Sequence, residues 1–200
     1  MNISEMVNES LDLSSWLGDQ LEGLSIGSDH RSSLAAGCLH MALEHQMAIA
    51  VLISRGLNGS AFSLVRMIYE SLVRGLWLHH CATDAQIENY RTDKLDLHFS
   101  VLLGEVEKVP GWESGLLSKT KQQSWGAMNS FTHTGILQLQ RRMSEVNIEP
   151  SYEESEILQI LQFSGAIAIL CGIAVARLVN NIDLASSMLK RADQFALLNQ

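Results

Sequence analysis

The stretch from Arg66 to His80 constrains the fold more than any other part of the chain. Three charged side chains, Arg66, Glu70 and Arg74, recur at four-residue steps, which places them on one narrow stripe of a helix. We call these three side chains the ladder. Apolar residues fill most of the remaining circumference, as in a buried helix. Because burying charges costs desolvation energy, the ladder either lines a cavity or is held by polar groups of another segment.

The rest of the chain follows a helical pattern with few interruptions. Only two prolines occur, both outside the periodic segments, and Gly and Asn fall at plausible helix ends. We therefore predict an all-α fold, an up-and-down bundle of four or five main helices with short additional helices. The 200 residues are expected to form a single domain. It comprises an acidic amphipathic helix within 1–27, a bundle core at 28–182 and a C-terminal helix at 183–200.

Periodicity and capping residues predict the helix boundaries. Ser60 is the expected N-cap of the ladder helix, Ser151 begins a capping box, and Asp183 can cap the last helix. Thr83 and Gln86 form a second capping box. Residues 111–124 are expected to be a mobile connection or a weak helix. The predicted helices span about 4–23, 29–55, 60–81, 83–90, 94–108, 125–134, 151–180 and 183–198.

Charge and cysteine usage limit the partners and the compartment. The 22 acidic and 14 basic residues give a formal net charge of -8, which disfavours indiscriminate binding to nucleic acid or anionic membrane. A locally basic region remains between residues 108 and 142. Three well-separated cysteines in apolar surroundings predict reduced thiols in a cytoplasmic protein. Residues 1–20 carry no basic segment followed by an apolar run, so we expect no secretory signal. The apolar run at 160–179 is shorter than the roughly 20 residues of a membrane span, so we expect a buried core helix there.

Two interpretations of the ladder stay open at this stage. In the first, it is a structural brace, because ion pairs four residues apart are common on helices. In the second, it is an anion site in which two guanidinium groups donate to a phosphate or carboxylate, and Glu70 orients one of them.

His133 is the candidate titratable partner of the ladder. It lies between Thr132 and Thr134 in the basic region, and either interpretation of the ladder predicts that it is close by. As a catalytic group it could exchange a proton with an RNA 2′-hydroxyl while Arg66 or Arg74 stabilises charge on the phosphate. As a structural group it ties its segment to Glu70. Candidate ligand-binding residues are Glu70, Asn129, Thr132, Thr134 and Arg141.

Other chemistries find no support in the sequence. The Glu-x-x-His pairs of di-metal bundles are absent, so we expect no metal and no other cofactor. No glycine-rich phosphate loop is visible, which argues against a dinucleotide cofactor.

Two segments together resemble a family of bacterial all-helical proteins without an assigned activity, over about residues 30–180. They contain Arg66, Glu70, Arg74 and Trp77, then Trp125, Asn129, Thr132-His133-Thr134-Gly135, Gln138 and Arg141. More loosely, the chain is similar to HEPN domains. These helical bundles often dimerise and include metal-independent ribonucleases and inactive binding modules of toxin-antitoxin and defence systems.

The HEPN resemblance implies two functions and a homodimer. In active members an Arg and a His with four to six residues between them form the ribonuclease site, a spacing that Arg74 and His79 satisfy. Gly75 stands where those enzymes carry a polar residue, which favours a binding or regulatory module acting on RNA or a partner protein. The alternative is a metal-independent endoribonuclease using His133 or His79 with Arg66 and Arg74. The expected dimer seam is the first helix or the small-residue face of the helix at 151–180. The Gly and Ala pattern of that face could equally serve packing within the chain.

Overall fold

The computed structural model describes residues 1–143 and 147–198, with side chains described as far as residue 195. Within these residues the protein is all-α and contains no strand, which confirms the predicted fold class. Nine helices occur in the described part of the chain: α1 (Ile3–Leu21), α2 (His30–Ser54), α3 (Asn58–His80), α4 (Asp84–Arg91), α5 (Phe99–Val106), α6 (Leu116–Thr132), α7 (Ile136–Gln140), α8 (Glu154–Leu178) and α9 (Ile182–Leu198).

Helices α2, α3 and α8 pack on one another in the centre of the bundle, α1 packs on α2 and α8, and α9 packs on α8. Helix α6 lies along α3 on the other side. Helices α2 and α3 form a hairpin, because Gly56 adopts a left-handed conformation with φ of +70° at the reversal between them. Trp77 and Tyr69 of α3 are the largest fully buried side chains. The ladder helix is therefore central to the core, as its apolar circumference predicts.

Helix ends confirm one predicted cap and correct others. Thr83 and Gln86 form the expected reciprocal capping box at α4. Helix α3 begins at Asn58 rather than Ser60, and the Ser60 amide already donates to the carbonyl of Leu57. At α9, the side chain of Asn181, not that of Asp183, accepts from the amide of Leu184.

Three predicted helix starts are wrong. Helix α5 begins at Phe99 instead of 94, because Asp93 is left-handed and ends the preceding helix. Helix α6 begins at Leu116, directly after left-handed Gly115, instead of at 125. Of the two alternatives for residues 111–124, a mobile connection or a weak helix, the helix is therefore the one found over 116–124. Helix α8 is capped by Glu153, whose capping box with Glu156 replaces the predicted one at Ser151.

The small-residue face of α8 is used within the chain. A Cβ atom on Gly165 would lie 2.4 Å from the ring of Phe195, and one on Gly172 would lie 2.8 Å from the sulfur of Met188. Phe195 and Met188 both belong to α9. Because glycine has no side chain, Gly165 and Gly172 allow α9 to pack close to α8. Of the two uses that the sequence allows for this face of α8, a dimer seam or packing within the chain, the structure shows the second, because α9 covers it.

Two helices are long and apolar enough to cross a membrane, α2 and α8, when length and composition alone are considered. The most apolar window of α8 is 67% buried inside the protein and that of α2 is 39% buried. The core helix of a soluble protein gives the same result, so this finding is weak support for a membrane span.

Candidate functional site

The ladder forms a continuous ion-pair network on the open side of α3. Nε of Arg66 donates to Oε1 of Glu70 at 2.6 Å, and Nη2 of Arg74 donates to Oε2 of the same carboxylate at 3.3 Å. The side chains of Arg66, Glu70 and Arg74 are 23%, 19% and 33% exposed. The ladder is thus recessed but reached by solvent, and it is not sealed in the core.

Helix α6 runs antiparallel to α3 and covers the first half of the ladder. Nη1 of Arg66 lies 2.7 Å from Nε2 of His133, and its guanidinium carbon lies 4.6 Å from the centre of the Trp125 ring. The prediction that His133 lies next to the ladder is confirmed. Arg66 therefore contacts Glu70, His133 and Trp125 at once, which fixes its position.

The contact between Arg66 and His133 assigns a role to one ring nitrogen. A guanidinium has only N–H donors, so Nε2 of His133 accepts the hydrogen bond from Arg66. An Nε2 atom that accepts from Arg66 is not free to remove a proton from a substrate. In this arrangement the histidine acts as a brace for the arginine.

Trp125 of α6 connects the ladder to the start of α5 and lies close to a second cation of its own helix. Its ring stacks on Phe99 at the start of α5, with centroids 5.0 Å apart and planes 11° from parallel. Nζ of Lys121 lies 5.2 Å from the Trp125 centroid, so two cations lie over this ring system. Such cation–π contacts stabilise by about 0.5–1 kcal/mol each at exposed sites.

The second half of the ladder is open. Arg74 lines a polar cavity of about 500 Å³ together with Tyr90, Asp93 and Leu95. Burial raises the pKa of Tyr90, as does its hydrogen bond with Cys38, so its hydroxyl stays protonated at neutral pH. In the described residues Arg74 has one ion-pair partner, the long contact to Glu70. Its guanidinium consequently has donors available to a ligand.

The charges of this region give a small positive excess. Arg66, Arg74 and Lys121 supply three positive charges, while Glu70 and Asp93 supply two negative ones. The local sum of +1 contrasts with the formal charge of -8 for the chain. Asp93 also makes the cavity polar rather than purely cationic, so a bound anion must fit beside a carboxylate.

The remaining predicted ligand-binding residues serve mainly to join segments. Oγ1 of Thr132 donates to the carbonyls of Met128 and Ser63, which attaches the end of α6 to α3. Arg141 pairs with Glu156 of α8. Thr134 is exposed and left-handed, with φ of +55°, at the turn into α7.

Asn129 has a different status from these connecting residues. Its Oδ1 atom is buried and accepts no hydrogen bond from the described residues. It lies on α6 midway between Trp125 and His133, one helical turn from each. Among the predicted ligand-binding residues of α6, Asn129 is therefore the one whose side-chain carbonyl oxygen could still accept a hydrogen bond from a ligand.

His79 lies apart from the ladder. Its ring packs edge-on against His80 with centroids 4.3 Å apart, and the charges that act on it are those of Arg31 and Asp29. Five residues on a helix turn a side chain through about 140°, which accounts for its separation from Arg74. The structure does not bring His79 together with Arg66 and Arg74.

Gly75 lies in the tight contact between α2 and α3. A Cβ atom at this position would be 2.8 Å from Cγ of Leu39 and 3.2 Å from the carbonyl of Ala35. Gly75 itself is buried. A polar side chain after Arg74 would therefore point into packed helix and not toward the ladder.

Sequence reasoning missed Lys121, Phe99, Tyr90 and Asp93. Lys121 precedes Trp125 by four residues, a spacing that would have identified it had α6 been extended back to Leu116. The other three come from the segment that connects α4 to α5 and its ends. Nothing in their local sequence indicates that this segment passes over Arg74.

The fold and the ladder define an all-α bundle with a recessed Arg/Glu/His cluster. In the part of the chain that the structure describes, no group of three His, Cys, Asp or Glu side chains is placed to hold a metal ion. The sequence profile of a family of unknown function, DUF6988, matches residues 39–198, and the chain belongs to that family. Comparison with curated proteins and with solved structures gives no significant match.

Proposed function

We propose that the protein is a non-catalytic binding module in which Arg74 contacts an anionic group of its ligand while Arg66 is a structural brace. The observation that carries this proposal is the unequal pairing of the two arginines. Arg66 contacts three side chains, whereas Arg74 makes one long ion pair and faces an open cavity. A guanidinium held at one edge and free at the other can donate a forked pair of hydrogen bonds to a phosphate.

The ligand we propose is single-stranded RNA. Its phosphates suit Arg74 and Lys121, and the small charge excess predicts weak, salt-sensitive binding. The wider setting belongs to the same proposal and rests on the sequence resemblance: an HEPN-like, cytoplasmic bacterial protein that functions in defence or in a toxin-antitoxin pair. The buried majority of α8 supports a protein without membrane spans.

The test is fluorescence anisotropy with a labelled single-stranded RNA oligonucleotide in the presence of EDTA. We expect Arg74→Ala to weaken binding at least about tenfold, because a hydrogen bond to a charged group contributes about 1.5 kcal/mol. Lys190→Ala is the matched control, since it removes one positive charge from the exposed surface of α9. Equal effects of the two substitutions would show that only net charge matters and would contradict an Arg74 site.

A metal-independent endoribonuclease is the second candidate function. It is favoured by the exposed His133 ring directly beside a guanidinium, a pair that could act on a 2′-hydroxyl and its phosphate. The hydrogen bond into Nε2 and the buried position of Gly75 support the binding module instead. Incubation with mixed RNA in EDTA decides between them. Cleavage that His133→Ala abolishes would establish the enzyme.

A further inference from the structure

Helix α2 exposes a stripe with the spacing of a helix–helix seam. Met41, Glu44, Ala48, Val51 and Arg55 follow one another at steps of three, four, three and four residues. This alternation is the repeat that keeps one face of a helix against a partner helix. Met41 is 51% exposed and Val51 is 41% exposed, so the apolar members of the stripe lie open to solvent.

The other faces of α2 are covered within the chain. Helices α1, α3 and α8 pack against it, and α4 makes a smaller contact. One further methionine of α2 lies exposed beside the stripe. Met47, four residues before Val51, is 52% exposed. Methionine side chains adapt readily to a facing surface, which suits them to an interface.

The two charged residues of this stripe have no ion-pair partner inside one copy. Glu44 and Arg55 are both exposed, and neither forms an ion pair among the residues the structure describes. They are 11 residues apart, so about 16 Å of helix separates them and they cannot pair with each other in one chain.

We propose that a second copy of the chain packs on this face, with the two α2 helices antiparallel. In the register that places Ala48 opposite Val51 of the partner copy, Glu44 lies opposite Arg55 of that copy. The two-fold symmetry repeats each contact, so one ion pair closes each end of an apolar centre. The small Ala48 side chain lets the two helices approach closely. A lipid-facing surface would not carry a carboxylate and a guanidinium in the same stripe.

The size of the stripe predicts a weak dimer. In this register the facing segments run from Glu44 to Arg55, about 16 Å, and a seam of this length buries less surface than the roughly 800 Å² per partner of a standard interface. We therefore expect a dimer that forms reversibly with rising protein concentration. This inference is independent of the proposed RNA site, because no ladder residue takes part in it.

Charge reversal tests this interface and its register. Sedimentation velocity over micromolar to near-millimolar concentrations should show a monomer–dimer equilibrium in the unmodified protein. Glu44→Arg or Arg55→Glu alone should weaken dimerisation at least about tenfold, since each creates two like-charge contacts. The double variant should recover most of the affinity, because the opposite charges again face each other. Asp193→Arg and Lys190→Glu on α9 are the matched controls and should have no effect.

Several outcomes would overturn the proposal. One is a monomer at every concentration, and another is a dimer that neither single reversal weakens. A double variant no better than the two singles would exclude the antiparallel register. Both substituted residues are exposed, so thermal unfolding followed by circular dichroism should show unchanged folding in each variant.

Discussion

At the scale of single residues, the ladder contains two arginines with different roles. Arg66 is held by Glu70, His133 and Trp125, and Arg74 by a single contact of 3.3 Å. Equal spacing along the helix therefore does not mean equal function. What separates them is the position of α6, which covers the first arginine and leaves the second beside a cavity.

This difference predicts unequal effects on stability. Arg66→Ala should lower the free energy of unfolding by about 1–2 kcal/mol, because it leaves Glu70 and His133 without their main partner. Arg74→Ala should lower the free energy of unfolding by at most about 0.5–1 kcal/mol, because a partly exposed, long ion pair contributes little. Urea unfolding of the two variants measures both values. A loss at Arg74 as large as that at Arg66 would contradict the division into brace and binding group.

Three histidines predict how stability depends on pH, and for one of them, His80, burial and the charge of His79 lower the pKa to about 4. Nε2 of His45 and Nδ1 of His79 are buried without a hydrogen-bond partner in the described residues. Burial lowers the pKa of both rings below the ordinary 6.5, and the charge of Arg31 lowers that of His79 further. The unfolded chain therefore binds protons more readily than the folded one. The stabilisation is complete above about pH 6.5 and is lost as the pH falls toward the folded-state values.

Urea unfolding at about pH 7.5 and about pH 5 measures this loss. His79→Gln should show a smaller decrease in stability between the two pH values than the unmodified protein, because one of the titrating rings is gone. An identical decrease in both proteins would show that His79 does not contribute.

At the scale of helices, α3 is positioned by a close contact on one side and by α6 on the other. Gly75 lets α2 approach, and the backbone carbonyl of Ser63 accepts a hydrogen bond from the hydroxyl of Thr132. The close contact fixes the rotation of α3, so that the ladder faces α6 and the segment between α4 and α5. The site therefore depends on a glycine that touches none of its charges.

Gly75→Ala tests this dependence. The added methyl group should lower the free energy of unfolding by about 1–3 kcal/mol, because Leu39 and the Ala35 carbonyl already occupy the space. Gly126→Ala in α6 is the control. Nothing lies within 4 Å of its Cβ position, so there the substitution should stabilise by about 0.5–1 kcal/mol through helix propensity. Thermal unfolding of both variants should show shifts of opposite sign.

At the scale of the whole molecule, residue spacing predicts which segments are helical better than it predicts which helix faces contact each other. The all-α bundle, the burial of α3 and the approach of His133 to the ladder all follow from residue spacing. The start of α6 and the face that α8 uses do not. A polar helix surface has the same composition as a loop, and a small-residue face serves an intrachain or an intermolecular contact equally well. Only the position of α9 decides the latter.

The most direct test of the central claim follows the two arginines separately. NMR spectra of the arginine Nε–Hε groups can be recorded while single-stranded RNA is added, with Arg66→Lys and Arg74→Lys variants used for assignment. We predict that the Arg74 signal shifts on titration, while the Arg66 signal, held by Glu70, stays in place. A shift of Arg66 without Arg74, or no shift of either signal at saturating RNA, would contradict the account.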